Sequence, residues 1–437
     1  MAPNQRTAHL IRLGVLISLH LLVTCQTLVF VSKLYPQYHV NFQWEILPQA
    51  IAVVAAYSLV SALFAFSEFS FGYFIGFPFF SMVAGYLWLN CFSDFPYDHR
   101  IAGISACASI VALLVPALFL KSPLEQRWTL SHAAFDHILD AILLLSGMTL
   151  VAGAAYNFDV AQLLRLISLD ADIYLARDAL KFPKPVDYLL GITASTLLPF
   201  AFACFVERHR AARAAAALGL LFLFYPITLS KVALFSAGWI GLTALSARFI
   251  EARLVAILSL LCPVAIGVLL TVLSHLGVLQ RPLAVSYFAL INFRMMTFPS
   301  LAMDYYNEFF SKNELTLYCQ ISVLKALPSC PYHEPLGIVI FNAFGIGGYF
   351  NASLFATEGI ASVGPWFAPL AAFAGGLVLA AGNRVSAGLP PRVVLTSAAL
   401  LPQIFLNVPF TVALATHGVL VLFLLWYITP RTPLQQE

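Results

Sequence analysis

Long apolar runs follow one another along the chain, each close to the length a helix needs to cross a hydrocarbon core. A window of ~20 residues places them near 10–32, 47–67, 71–92, 101–120, 137–155, 188–206, 212–228, 232–249, 254–274, 364–382, 393–407 and 411–429. The pattern predicts an all-α, polytopic membrane protein of about twelve transmembrane helices in one integral membrane domain, the last two forming a tight hairpin at "NVPF". The first run is long enough to be a span rather than a cleavable signal.

Two intervals interrupt the pattern. Residues 156–187 carry Val160, Leu163, Leu164 and Ile167 at helical spacing, which predicts an amphipathic helix lying in the membrane interface. Residues 275–363 are expected to form one large outer loop. Its Gly-rich end, "FNAFGIGGYFNASLFATEGIASVG", is too apolar for a solvated loop and is expected to pack into the membrane boundary or re-enter it.

Composition agrees with the pattern. Of 437 residues, 61% are hydrophobic and only 10% charged, too few charges to cover a soluble domain of this size. No basic stripe or nucleic-acid motif occurs, so nucleic acid is not an expected partner. The short connections carry Arg6 and Arg12, Lys121 and Arg127, Arg208, Arg210 and Arg213, Arg248 and Arg253, Arg384 and Arg392, and Arg431 on one side. By the bias of basic residues toward the cytoplasm, that side is cytoplasmic, both termini with it, and the two long intervals lie outside. Seven cysteines show no metal-ligand spacing; Cys319 and Cys330 share the large loop and can pair if it faces an oxidising compartment.

Ionisable groups in apolar settings are the candidates for chemistry. Lys231, in "TLSKVALF", stands between two apolar helices, either snorkelling at a helix end or held at the floor of an outer cavity to meet an anion. Arg177, beside Asp178, Lys181 and Lys184, either touches lipid headgroups or forks onto a phosphate. Arg294, in "INFRMMTFP", needs a partner: Asp304 or Glu308 in a salt bridge, or the phosphate of a ligand. Glu358 stands alone in a weakly polar run and is either a helix-capping or ion-paired glutamate or the general base, since a carboxylate in apolar surroundings becomes a stronger base. Asp304 is the second choice of base. Asn342 and Asn351 could bind sugar hydroxyls or cap turns, and Tyr305 and Tyr306 could stack on a sugar or sit at the interface.

Other signals are weak or missing. "DAD" at 170–172 is too short to argue for a nucleotide-sugar site, and "PYHEP" at 331–335 is too sparse for a metal. No phosphate-binding loop, nucleophile elbow or zinc motif is present.

Three patches together resemble the bacterial O-antigen polymerases, the Wzy-like oligosaccharide repeat unit polymerases: "YLARDALKFPKPVDYLLGITASTLLPFAF", "LSKVALFSAGWIGL" and "NFRMMTFPSLAMDYYNEFF", followed by "FNASLFATEGIASVGPWFAPLAAFAGG". The likeness covers about 180–380; the N-terminal spans match only in hydropathy. It implies a GT-C-like glycosyltransferase of the bacterial inner membrane that moves a growing glycan from one undecaprenyl pyrophosphate carrier onto the next carrier-linked unit. It implies that Arg177 and Arg294, in the two outer (periplasmic) segments, engage carrier phosphates, with Lys231 at a position that is often basic. The match at Glu358 is less secure, because relatives can lack a carboxylate there. The implied partners are the lipid-linked oligosaccharide, the bilayer and a chain-length regulator; since cations can replace a metal, no cofactor is expected. Two other readings remain open. An O-antigen ligase usually bears a histidine in the outer loop, for which His333 is available. A lipid-linked oligosaccharide flippase would carry its charges in two duplicated halves, which this chain does not show.

Overall fold

The computed structural model describes residues 3–158, 180, 182–321, 330–345, 349–350 and 354–431, with side chains from residue 10 onward except that of Lys231. The fold is all-helical, and among the described residues no strand forms. Among the described residues ten helices are long and apolar enough to cross a membrane, which makes this a multi-pass membrane protein. An eleventh span results if the bent pair Phe410–Thr416 and Val419–Ile428 is counted as one.

The chain divides into two compact units, of which the first takes Met1–Leu120, Ala256–Ala381 and Pro402–Thr411. Helices α1 (Pro3–Leu34), α2 (Leu47–Phe66), α3 (Phe71–Phe92) and α4 (His99–Phe119) open it. Helix α3 is apolar on every side and almost wholly buried, as expected for the central helix of a bundle. Ser70 starts it by accepting a hydrogen bond from the Tyr73 N–H at 3.1 Å, and the chain turns extended at Ser93. Gly72 lets α3 lie directly on the Ala117 carbonyl of α4, where any Cβ would collide with backbone.

Helices α5 (His132–Ala154), α6 (Lys184–Glu207), α7 (Ala211–Thr228) and α8 (Lys231–Phe249) belong to the second unit. There Asp136 pairs with Arg208 and Arg210, Asp140 with Arg213, and Glu207 with Arg392. These carboxylates neutralise much of the basic cluster that the sequence places on the cytoplasmic side.

The stretch expected as an outer loop is largely helical. After α9 (Ala252–His275), helix α10 (Arg281–Phe288) continues through a π-helical segment (Ala289–Thr297) into α11 (Phe298–Phe310). This long helix crosses α1, α9 and α3 of the first unit. It starts beside the last residues of α1 and α9, where Arg281 shares a recess with Leu34 and His275. It arrives at Asp304 beside Ser93, just past the end of α3. The segments after α1 and α3 meet at that end, where the Asn41 N–H donates to the Phe92 carbonyl at 2.8 Å and Val40 bridges Ser93. Tyr35 and Tyr38 then pack on Phe293, and His39 on Tyr305.

Further on, α12 (Leu336–Phe344) is followed by a second π-helical segment (Phe355–Ala361) leading into α13 (Ser362–Ser386). The candidate span here runs Phe355–Ser386, so part of the Gly-rich tail belongs to a span rather than to the loop. The span expected at 393–407 is instead two seven-residue helices, α14 (Pro391–Ser397) and α15 (Leu401–Asn407). Pro402 lacks the N–H that a continuous helix would need there. Helices α16 (Phe410–Thr416) and α17 (Val419–Ile428) meet at 56°, with Gly418 at φ 73° between them, a backbone angle that glycine adopts without strain.

The seat of the crossing helix is Gly267. A Cβ there would overlap the side-chain amide of Asn292, which is buried and donates to Thr27 Oγ1 at 3.1 Å and to the Val264 carbonyl at 2.8 Å. Gly267→Ala should therefore lower stability by about 1–3 kcal/mol, measured as thermal unfolding in detergent. In an Asn292→Ala background the same change should cost little.

Candidate functional site

The crossing helix carries five of the residues singled out by the sequence, Arg294, Asp304, Tyr305, Tyr306 and Glu308. Arg294 lies within the π-helical segment Ala289–Thr297, a widened geometry that often marks functional sites. Its guanidinium stacks over the Phe298 ring at 4.9 Å. Among the described residues it makes no ion pair, because both carboxylates expected to serve it are engaged elsewhere. Glu308 pairs with Lys312 one turn on. Asp304 points to the loop that joins α3 and α4. A stacked guanidinium gains about 0.5–2 kcal/mol from the ring and keeps its edge free for an anion.

Asp304 is fully buried. Its Oδ1 accepts from the Tyr97 hydroxyl and its Oδ2 from Ser93 Oγ at 2.9 Å. Tyr97 also reaches Asn90 Oδ1 at 2.9 Å and the Tyr86 hydroxyl at 3.3 Å, and Asn307 donates to Tyr86 at 3.0 Å. His99 Nδ1 lies 2.9 Å from the same Asn90 oxygen. Tyr97 has one hydrogen and two oxygens to satisfy, Asp304 Oδ1 and Asn90 Oδ1. Protonating Asp304 resolves the competition, because the acid then donates to Tyr97 while Tyr97 donates to Asn90. Burial accordingly raises the Asp304 pKa from 3.8 to about 7, with Glu308 and Asp94 adding to the rise and the Tyr97 and Ser93 hydrogen bonds opposing it. Burial, followed by the charge of Asp304, likewise lifts the Tyr97 phenol well above its ordinary value.

Glu358 sits in the π-helical segment Phe355–Ala361, and its carboxylate is committed. Oε1 accepts from the Thr411 N–H at 2.9 Å and from Thr411 Oγ1 at 2.8 Å, and Oε2 accepts from Thr357 Oγ1 at 2.8 Å. Of the roles open to it in the sequence, helix cap, ion pair and general base, this geometry is that of the cap: it ties the segment to the start of α16.

Tyr305 and Tyr306 require correction as sugar platforms. Both are fully buried. Tyr305 is enclosed by Phe95, Phe344 and Phe350, with ring centroids 4.8–5.0 Å away, and the Tyr306 hydroxyl donates to the Phe350 carbonyl at 3.4 Å. They fall on the inner face of the helix, so neither ring presents a face to a ligand. Asn342 is exposed and donates to Glu334 at 3.3 Å.

Arg177 and Asn351 lie outside the described residues, as do residues 159–179 and 181 of the interval 156–187 expected to hold an amphipathic helix. Lys231 begins α8 in the second unit, and its side chain is not among those described. Cys319 and Cys330 are joined by a disulfide, Cα–Cα 5.4 Å. Among the described residues no group of three His, Cys, Asp or Glu could hold a metal ion.

The sequence reading passed over the α3–α4 connection. Its signal was present: "NCFSDFPYDH" puts Asn90, Ser93, Asp94, Tyr97, Asp98 and His99 into ten residues between two apolar runs. No known family, no curated protein and no solved structure matches this chain.

The sign of the Asp304 shift fixes a pH dependence. The folded state holds its proton more tightly than the unfolded chain, so the stability of the protonated form is complete below about pH 4 and is lost as pH rises to about 7. Asp304→Asn should remove that slope and leave the protein more stable than wild type at pH 8, by up to about 4 kcal/mol. Thermal unfolding between pH 5 and pH 8 tests this; an unchanged slope in the variant contradicts it.

Proposed function

We propose that this protein is a membrane glycosyltransferase that polymerises undecaprenyl-pyrophosphate-linked oligosaccharide repeat units into a surface polysaccharide. The observation that carries this reading is Arg294, a half-buried guanidinium with no carboxylate partner among the described residues. It lies on the same long helix as a buried acid that titrates near neutrality. The resemblance of 180–380 to the repeat unit polymerases agrees with it.

In this reaction the bond from the donor sugar's anomeric carbon to the pyrophosphate breaks as the acceptor hydroxyl forms a new bond to that carbon. Negative charge develops on the departing phosphate oxygens, and a fixed guanidinium lowers the barrier by about 3–4 kcal/mol if it acts like one oxyanion donor. The acceptor proton goes to Asp304 through the half-buried Ser93 hydroxyl, which gives its own hydrogen to Asp304 as it takes the new one. The resemblance assigns carrier phosphates to Arg177 and Lys231 as well, and no cofactor is expected.

The site belongs on the periplasmic side of a bacterial inner membrane, with both termini cytoplasmic. The Cys319–Cys330 disulfide supports that orientation, since such bonds persist in oxidising compartments. The exposed His333 near it keeps one second reading, a ligase that joins finished glycan to a lipid core.

Cells carrying Arg294→Ala should insert the protein normally yet display single repeat units in place of long chains. Arg294→Lys should recover only partly, because an ammonium cannot make the two-pronged phosphate contact. Surface glycan length on a gel is the measurement. Full-length chains from Arg294→Ala overturn the proposal, and loss of all attached glycan identifies the ligase.

A further inference from the structure

A second cationic feature lies at the start of the crossing helix, independent of the site above. A recess of about 230 Å³ is lined by Leu34, Thr271, Ser274, His275, Arg281, Ala284 and Val285. That volume falls below the ~300–1,000 Å³ of pockets that bury a drug-sized molecule, so it suits a single headgroup rather than an oligosaccharide. No carboxylate lines it, and Arg281 makes no ion pair among the described residues.

His275 donates Nδ1–H to the Thr271 carbonyl at 2.8 Å and stacks on Phe30 at 5.8 Å, which fixes the ring at the edge of the recess. The first turn of α10 has no acidic residue to offset the charge of Arg281. The electrostatics of the recess therefore call for an anion.

Its position identifies the source of that anion. Leu34 and His275 are the last residues of two candidate spans, so the recess lies at the level where the hydrocarbon ends. Leu276, Val278 and Leu283 beside it are 58–72% exposed, an apolar collar suited to acyl chains rather than water.

We propose that this recess binds the phosphate of an anionic membrane lipid, Arg281 and Ser274 holding the headgroup while the collar meets its chains. The proposal does not rest on the glycosyltransferase reading, since any polytopic protein could seat a lipid here.

The test is native mass spectrometry of the full-length protein purified in detergent. Phosphatidylglycerol is the probe, phosphatidylcholine the zwitterionic control and inorganic phosphate the competitor. Wild type should retain phosphatidylglycerol in preference to phosphatidylcholine. Arg281→Gln should weaken that retention about tenfold, the loss of one charge-assisted hydrogen bond, and Arg281→Lys should fall between the two. Arg100→Gln, which removes another exposed arginine in the same unit, should retain the lipid as wild type does. Equal retention by Arg281→Gln and wild type overturns the proposal, as does an equal loss in Arg100→Gln. Displacement by inorganic phosphate with no preference for the acylated lipid also overturns it, showing a free-anion site instead.

Discussion

Hydrocarbon cannot hydrogen-bond to a peptide group, and every other feature of this fold follows from that constraint. Spanning segments must satisfy their own backbone, so the chain folds as apolar helices, and polar side chains are affordable only where they satisfy one another. In the first unit they gather around the last turns of α3, where Asp304, Tyr97, Ser93, Asn90, His99 and Tyr86 form one hydrogen-bonded cluster. The crossing helix brings Asp304 to that cluster, and its register depends on the contact between Asn292 and Gly267.

Aromatic packing then separates the two faces of that helix. Tyr305 and Tyr306 are enclosed, while Arg294 reaches the edge of the same aromatic layer and stacks on Phe298. Among the described residues the arginine is oriented by a ring instead of neutralised by a carboxylate. A cation held in this way is prepared for a ligand's negative charge, whereas a salt-bridged one must first give up its partner.

Hydropathy made ten of the spans legible, because each is apolar over a whole membrane thickness. It read residues 281–310 as loop because Arg281, Arg294, Asp304 and Glu308 dilute the signal, although Phe293, Met296 and Phe298 supply a buried face. The π-helical geometry around Arg294 and Glu358 has no signature in composition. Partnerships across long separations were also out of reach: Tyr97 is 207 residues from Asp304, and Thr411 is 53 from Glu358. What the sequence could supply was a short roster of ionisable residues in apolar settings. The fold divides that roster into a cation at Arg294 with no ion pair among the described residues, a buried acid at Asp304 and a structural clamp at Glu358.

The most direct measurement is chain growth by the purified protein reconstituted in vesicles with undecaprenyl-pyrophosphate-linked repeat units as the sole glycan source. The account predicts polymer of several units, released carrier pyrophosphate and no need for a nucleotide sugar. Carrier-linked units that stay monomeric with the folded protein, or growth that depends on a nucleotide sugar, would contradict it.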